Sequence, residues 1–376
     1  MEVVESLAGV PASEWNRLAD GATFLSHEFL SALHDTGCAS AATGWAPQYL
    51  ILRRDGILSG AMPLYLKTHS YGEYVFDWAW ADAYHRHGIA YYPKLVSAVP
   101  FTPVTGARLL ASNHDDRDRL VTAALDFARS LGVSSLHCLF PEPLEASCLV
   151  ARGLMPRTTV QFHWSNQGYE SFDAFLAGFS HDKRKKVKQE RRRVRDAGIR
   201  FRWLVGDDIR DKDWVFLNRC YRQTYREHQS IPYLNLEFFR RVGESLARSV
   251  VMIVAERDGN PIAAALDILD RGRLCGRYWG ALEPHSGLHF ETCYYQGIEY
   301  CIACGIDTFE GGSRGPHKLA RGLMPVETRS AHWLAHPEFA AAVEQFLARE
   351  SRGIENYMDE LEERGPFKRA SAPITR

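Results

Sequence analysis

Two spacings of apolar residues run through this chain, one helical and one strand-like. From Ser13 to Asp35, Trp15, Leu18, Phe29, Leu30 and Leu33 fall at helical spacing behind a Ser13 cap, which predicts helix over residues 13–35. Residues 49–67, YLILRRDGILSGAMPLYLK, are two apolar runs around Asp55-Gly56 and predict a hairpin, because Asp-Gly accepts the positive φ angles of a tight turn. The aromatic stretch Tyr71–Tyr92 reads as a loop, and residues 93–110 as a strand-like run broken by Pro100 and Pro103. Residues 115–131 predict an amphipathic helix ending at Gly132, followed by a strand, VSSLHCLF, a short helix to Gly153 and a strand, TTVQFHW. The pattern then restarts with a short helix, SFDAFLAGF, a long helix from His181 to Ala197-Gly198 and a strand, IRFRWLVG. Helices at 211–229 and 236–246 precede a hairpin turning at Asp258-Gly259, a strand, RLCGRYWGAL, a helix, FETCYYQGIEYCIACG, and a strand, IDTFEGG. A loop, SRGPHKLARGLMP, a strand at 328–333 and a helical, finally charged tail complete the chain.

The two halves repeat one design. LILRRDGILSGAMPLYL matches VMIVAERDGNPIAAALDIL, and ALDFARSLGVSSLHCLF matches YCIACGIDTFEGG, a helix closed by glycine and then a strand. Each half should form a mixed sheet flanked by helices, giving an α+β protein with domains at 1–168 and 169–345 and a charged tail at 346–376. Apolar residues make up 45% of the chain, enough for two cores. A net charge of −1 excludes a general nucleic-acid coat. The charge is unevenly placed, however: Lys183–Arg195 holds nine Lys or Arg and one acid, Glu190. Such a run suits a solvated helix face, yet the cations repel one another unless an anion is near. The eight cysteines are irregularly spaced and read as reduced thiols; Cys301-Ile-Ala-Cys304 lacks a second pair, and His85-Arg86-His87 a third ligand, so no metal is expected. The opening residues, MEVVESLAGVPASEW, lack the basic and apolar regions of a signal peptide, and no apolar run approaches the roughly 18 residues of a membrane helix. The expected location is therefore the cytoplasm, with no integral membrane segment.

The repeated order resembles the GNAT acyltransferase fold. The stretches PKLVSAVPFTPVTGARLL, SHDKRKKVKQERRRV, YREHQSIPYL, GRYWGALEPHSGLHFETCYYQGIEYCIACGIDTFEGG and HKLARGLMPVETRSAHW together resemble a bacterial GNAT-like family labelled peptidoglycan biosynthesis or recognition, distantly similar to the Fem aminoacyltransferases. The resemblance implies tandem GNAT-like domains with the second half catalytic. It implies an N-acyltransferase that moves an acyl or aminoacyl group to an amine, on a small molecule or peptide such as a peptidoglycan precursor. No permanently bound cofactor is implied; acyl-CoA and aminoacyl-tRNA, hence tRNA as a partner, are the alternative cosubstrates. A different reading keeps the fold as a non-catalytic binding module for a phosphate-bearing precursor or RNA. At the turn where GNAT proteins hold the CoA pyrophosphate, this chain has EPHSGLH, in which only Ser286-Gly287 suits a phosphate.

Acyl transfer to an amine needs a proton acceptor, an oxyanion stabiliser and a route for the leaving group. His289 and Glu291 open the helix after Gly287 and are candidate bases, although Glu291 equally suits the helix dipole. Glu310 ends a strand before Gly311-Gly312, a position for a base or substrate anchor, or for a plain ion pair. Tyr278 is a candidate acid or a core tyrosine. In GPHKLARGL, glycines flank His317, Lys318 and Arg321, a pattern that lets a backbone approach an anionic ligand. Tyr225, Arg226 and His228 at a helix end, and Trp80 and Tyr84 in the aromatic stretch, are candidate substrate contacts. So are Arg191 and Arg192 of the basic helix. Neutralising Arg191, Arg192 and Arg193 is expected to weaken ligand binding and leave the fold intact.

Overall fold

The structure is a computed structural model that describes residues 1–312 and 315–368. The expectations for Ser313, Arg314 and residues 369–376 lie outside the described residues. The chain divides into two compact units, each built from several segments. Unit 1 is Met1–Val160, Tyr233–Ala247 and Glu327–Asn356; unit 2 is Gln161–Pro232, Arg248–Val326 and the end of the chain from Tyr357. Simple cuts at residues 168 and 345 thus miss two returns of the chain to the first unit.

In unit 1 the hairpin forms as expected, from strands Tyr49–Arg54 and Ile57–Met62, with φ of 49° at Asp55 and 82° at Gly56. It lies in a four-stranded sheet with Glu2–Val4 and Leu110–Ala111. A second set of strands runs from Ser330–Leu334 through Ser135–Leu139, Lys94–Ser97 and Tyr65–Lys67 to Trp45–Pro47. Helix His114–Leu131 buries Leu120, Val121, Ala124 and Ala128 in a core with Leu50, Leu52, Met62 and Leu136. Its ends follow the sequence: the Asn113 side chain accepts from the Asp116 N–H, and Gly132 closes it in the left-handed conformation.

Two expectations for this half are corrected. The helix over 13–35 is two helices, Ala12–Ala19 and His27–Asp35, because Asp20 and Gly21 turn the chain at φ of 47° and 72°. The aromatic stretch contains a helix, Trp78–Arg86, whose i, i+4 pair Trp80 and Tyr84 is buried with Tyr91, Leu334, Val343 and Leu347. An unforeseen ionic cluster lies beneath it. The Lys94 ammonium, fully buried, pairs with Glu73 at 2.8 Å and also with Asp77. Lys67 sits 3.7 Å above the Trp45 ring and 4.0 Å from Glu73.

In unit 2 the strand order is Ile199–Val205, Val250–Arg257, Asn260–Asp270, Arg273–Ala281, Thr308–Glu310 and the last residues of Met155–Ser165. The Asp258-Gly259 hairpin repeats that of unit 1, including a register shift beside the turn, at Ala255/Glu256 here and Leu52/Arg53 there. Arg273–Cys275 pairs in parallel with Thr308–Glu310, after which the first strand continues along Asn260–Asp270 as far as Ala281. The pairing of the two parallel strands therefore ends at Cys275 and Glu310. The helix expected over 290–305 is interrupted by a single π turn, Glu291–Tyr295, before Gln296–Cys304. Such turns widen the helix by one residue and often mark functional sites. The basic helix, His181–Asp196, buries only Val187 and Val194 of its own residues; Val194 joins a core with Ile199, Ala263 and Leu288.

Candidate active site in the second unit

Past the end of the parallel pairing, the segment Pro316–Arg321 winds into a tight helical turn between Gly315 and Gly322. The turn drives Lys318 inward: the residue is 2% exposed, and its ammonium donates to the Gly312 carbonyl at 2.7 Å. Burial pushes the Lys318 pKa down to about 8. Next to it, His317 Nε2 lies 3.1 Å from the Tyr294 hydroxyl. The His289 ring packs at 4.6 Å on Trp279 and 5.4 Å from Tyr294. Burial, then electrostatic interaction with His317, Arg321 and Lys318, lowers the His289 pKa to about 4. Burial, then the charges of Lys318 and Arg321, lowers His317 as well. Both imidazoles are neutral at pH 7 and able to accept a proton. Arg321, 4% exposed, stacks 3.4 Å over Phe290 and donates to the His317 carbonyl at 2.6 Å.

The basic helix is tied to this cluster by its one central acid. Glu190 accepts from Arg321 Nη2 at 3.0 Å on both oxygens and from the Tyr295 hydroxyl at 2.5 Å. The π turn supplies Tyr294 and Tyr295 together, and through them both His317 and Glu190 are held. Of the candidates from the sequence, His289, His317, Lys318 and Arg321 are thus brought together. Glu190, Phe290, Tyr294 and Tyr295 were missed; a single acid inside a cationic run was the one available signal for Glu190. Also missed was Asp267, 1% exposed, whose Oδ2 has no hydrogen-bond partner among the described residues and whose pKa burial raises well above the usual range.

The carboxylates proposed as bases are held differently. Glu291, 3% exposed, accepts from Arg191 Nε at 3.1 Å and Nη2 at 2.9 Å, and from Gln296 Nε2 at 2.9 Å. Arg191 Nη2 also reaches Glu299 at 2.6 Å. Glu310, 3% exposed, is paired with Arg273 at 2.7 Å, which also binds Asp270 at 2.8 Å. A buried carboxylate is costly without a cation, and here each has one. An ion pair was the alternative reading of Glu310, and the pairing of Arg191 with buried Glu291 speaks against the expectation that neutralising Arg191 leaves the fold intact.

The remaining candidates sit apart from the Lys318 cluster or in packing roles. Tyr278 is buried edge-on to Tyr221 at 5.6 Å, beneath the Arg277 guanidinium at 5.3 Å. Gly287 has φ of 86°, and a Cβ there would meet Val194 at 3.4 Å and the Glu190 carbonyl at 3.6 Å; the Ser286-Gly287 turn packs on the basic helix. Tyr225 packs on Tyr221 at 4.8 Å near the end of helix Asp211–Glu227, with Arg226 and His228 exposed. Trp80 and Tyr84 belong to the core of unit 1, and Tyr84 stacks on Phe339 at 4.0 Å, so neither presents a ligand surface. Arg192 is exposed on the basic helix and lines a cavity of about 1030 Å³ with Lys188, Arg195, Arg200, Phe201 and Trp203.

No curated protein matches the chain. Among solved structures, the C-terminal domain of a putative lysylphosphatidylglycerol synthetase from Agrobacterium fabrum superposes with a TM-score of 0.55 at 10% identity, covering 88% of this chain and 94% of that one. FemX superposes with a TM-score of 0.54 at 10% identity, covering 92% of this chain and all of that one. At such identity the likeness is one of fold. No described helix is long and apolar enough to cross a membrane. The FemAB-like family model, described as peptidoglycan biosynthesis/recognition, matches residues 6–369, and the chain belongs to that family.

Proposed function

We propose that unit 2 carries an N-acyltransferase centre that moves an acyl or aminoacyl group from an activated donor to an amine, with a peptidoglycan precursor as the acceptor favoured by the family. The observation that carries this reading is the buried Lys318 ammonium beside two imidazoles whose charged forms burial disfavours, past the end of the parallel pairing. The acceptor amine attacks the donor carbonyl. As the C–N bond forms, His317 or His289 takes the amine proton, and the Lys318 ammonium stabilises the oxyanion. Collapse breaks the donor's ester or thioester bond, and the leaving oxygen or sulfur takes the proton from the imidazolium, which regenerates the neutral base. Donors of both kinds, aminoacyl-tRNA and acyl-CoA, fit this chemistry.

The test is turnover of the full chain with each donor class and a panel of muropeptide and simple amines. Lys318→Met should lower kcat about 100-fold or more, the usual cost of one oxyanion donor, with an unchanged circular dichroism spectrum. His317→Asn should lower kcat by about tenfold or more. Wild-type turnover by Lys318→Met would refute the assignment. Precursor binding with no turnover from either donor class would refute the enzyme itself.

A further inference from the structure

We propose that the cavity beside the basic helix is a separate binding site for a small polyphosphate of the size of a nucleoside diphosphate or triphosphate. It is independent of the reaction assigned to Lys318. Lys188, Arg192 and Arg195 follow one another at i, i+4 and i+7 and so form one stripe, about 10 Å long at the helical rise. Arg200, on the adjacent strand Ile199–Val205, adds a fourth cation to the cavity wall. Such a row can engage linked phosphates, whereas a lone phosphate would leave most of it unused.

The wall also carries acids. Asp173 is paired with Lys188 at 3.0 Å, and Glu291 and Glu299 are both held by Arg191. Arg192, Arg195 and Arg200 have no ion-pair partner among the described residues, so the cavity keeps a positive excess. Phe201 and Trp203 project from the same strand at alternate positions and line the cavity half-buried, giving a ring or sugar an apolar wall. A volume of about 1030 Å³ matches the upper end of small-ligand pockets. The concave wall and the chain's net charge of −1 favour a small ligand over a bilayer or a nucleic-acid duplex.

Titration calorimetry of the full chain with ADP, tripolyphosphate, pyrophosphate and inorganic phosphate tests this. ADP and tripolyphosphate should bind one per chain, weaken steeply with salt and exceed inorganic phosphate in affinity. The combined substitutions Arg192→Gln, Arg195→Gln and Arg200→Gln should weaken both by about 100-fold or more at low salt. Arg200→Gln alone, at an exposed position, should weaken them by about tenfold and keeps the test if the triple variant misfolds. Phe201→Leu should remove the preference for ADP over pyrophosphate and leave pyrophosphate binding intact. Absence of polyphosphate binding at low salt would overturn the proposal, as would wild-type affinity in the Arg200 variant. So would a structured RNA that binds far more tightly than ADP through the same arginines, which would make the face a nucleic-acid surface.

Discussion

Arg191→Gln separates the structural from the exposed cations of the basic helix. The substitution removes three hydrogen bonds to Glu291 and one to Glu299, leaving Glu291 with the Gln296 amide. Stranding one partner of a buried ion pair costs about 3–5 kcal/mol. Arg191 is 24% exposed and Glu299 36%, so water recovers part of this, and a loss of about 2–3 kcal/mol is expected. Urea unfolding followed by circular dichroism measures it. Glu291→Gln in the Arg191→Gln background removes the stranded charge, so the double variant should be more stable than additivity allows, with a coupling of about 2 kcal/mol. Arg192→Gln, one residue on and exposed, should stay within about 0.5 kcal/mol of wild type. Additive losses, or an Arg191→Gln cost no larger than that of Arg192→Gln, would refute the anchoring role and return the whole helix to a solvated face.

Three further outcomes follow from buried groups. Lys318 has its pKa lowered to about 8 in the folded protein, so between that value and the ordinary lysine value of 10.5 the unfolded chain binds the extra proton. Stability should therefore rise with pH across that window by about 3 kcal/mol, and Lys318→Met should abolish this contribution in urea midpoints measured across the same range. Gly280→Ala places a Cβ 1.9 Å from the Cys220 carbonyl oxygen and should cost about 3 kcal/mol, read as a lower melting temperature. Lys94→Met strands Glu73 and Asp77 in the core of unit 1 and should destabilise that unit by about 3–5 kcal/mol, visible as faster amide exchange in Lys94–Ser97.

Local signals were legible in the sequence where a residue's role depends on its near neighbours. Both Asp-Gly hairpins, the Asn113 to Gly132 helix and the basic helix follow from spacing and turn chemistry alone. The lysine loop was legible as well, because glycines flank His317, Lys318 and Arg321 within nine residues. What was not legible depends on partners far along the chain. The ion-pair partners of Glu310 and Glu291, Arg273 and Arg191, lie 37 and 100 residues away. The aromatic stretch read as a loop because the surface that buries Trp80 and Tyr84 includes Leu334, Val343 and Leu347. The π turn read as continuous helix, since a single turn offers too few residues to set a period of its own.

The interleaved path of the chain constrains the order in which it can be made. The strand ending at Leu334 lies against Ser135–Leu139, and His332 meets His137 across 195 positions. Until that strand has left the ribosome, unit 1 has an unpaired strand edge and an uncovered Trp80–Tyr84 face. Its folding therefore waits for residues 327–356, long after its first strands have emerged. A fragment ending at residue 168 retains one copy of the repeated design but lacks the strand ending at Leu334 and the helix Pro337–Glu363, which close the Trp80–Tyr84 core. Such a half-chain should be recovered as aggregate, and adding residues 327–356 in trans should return it to solution.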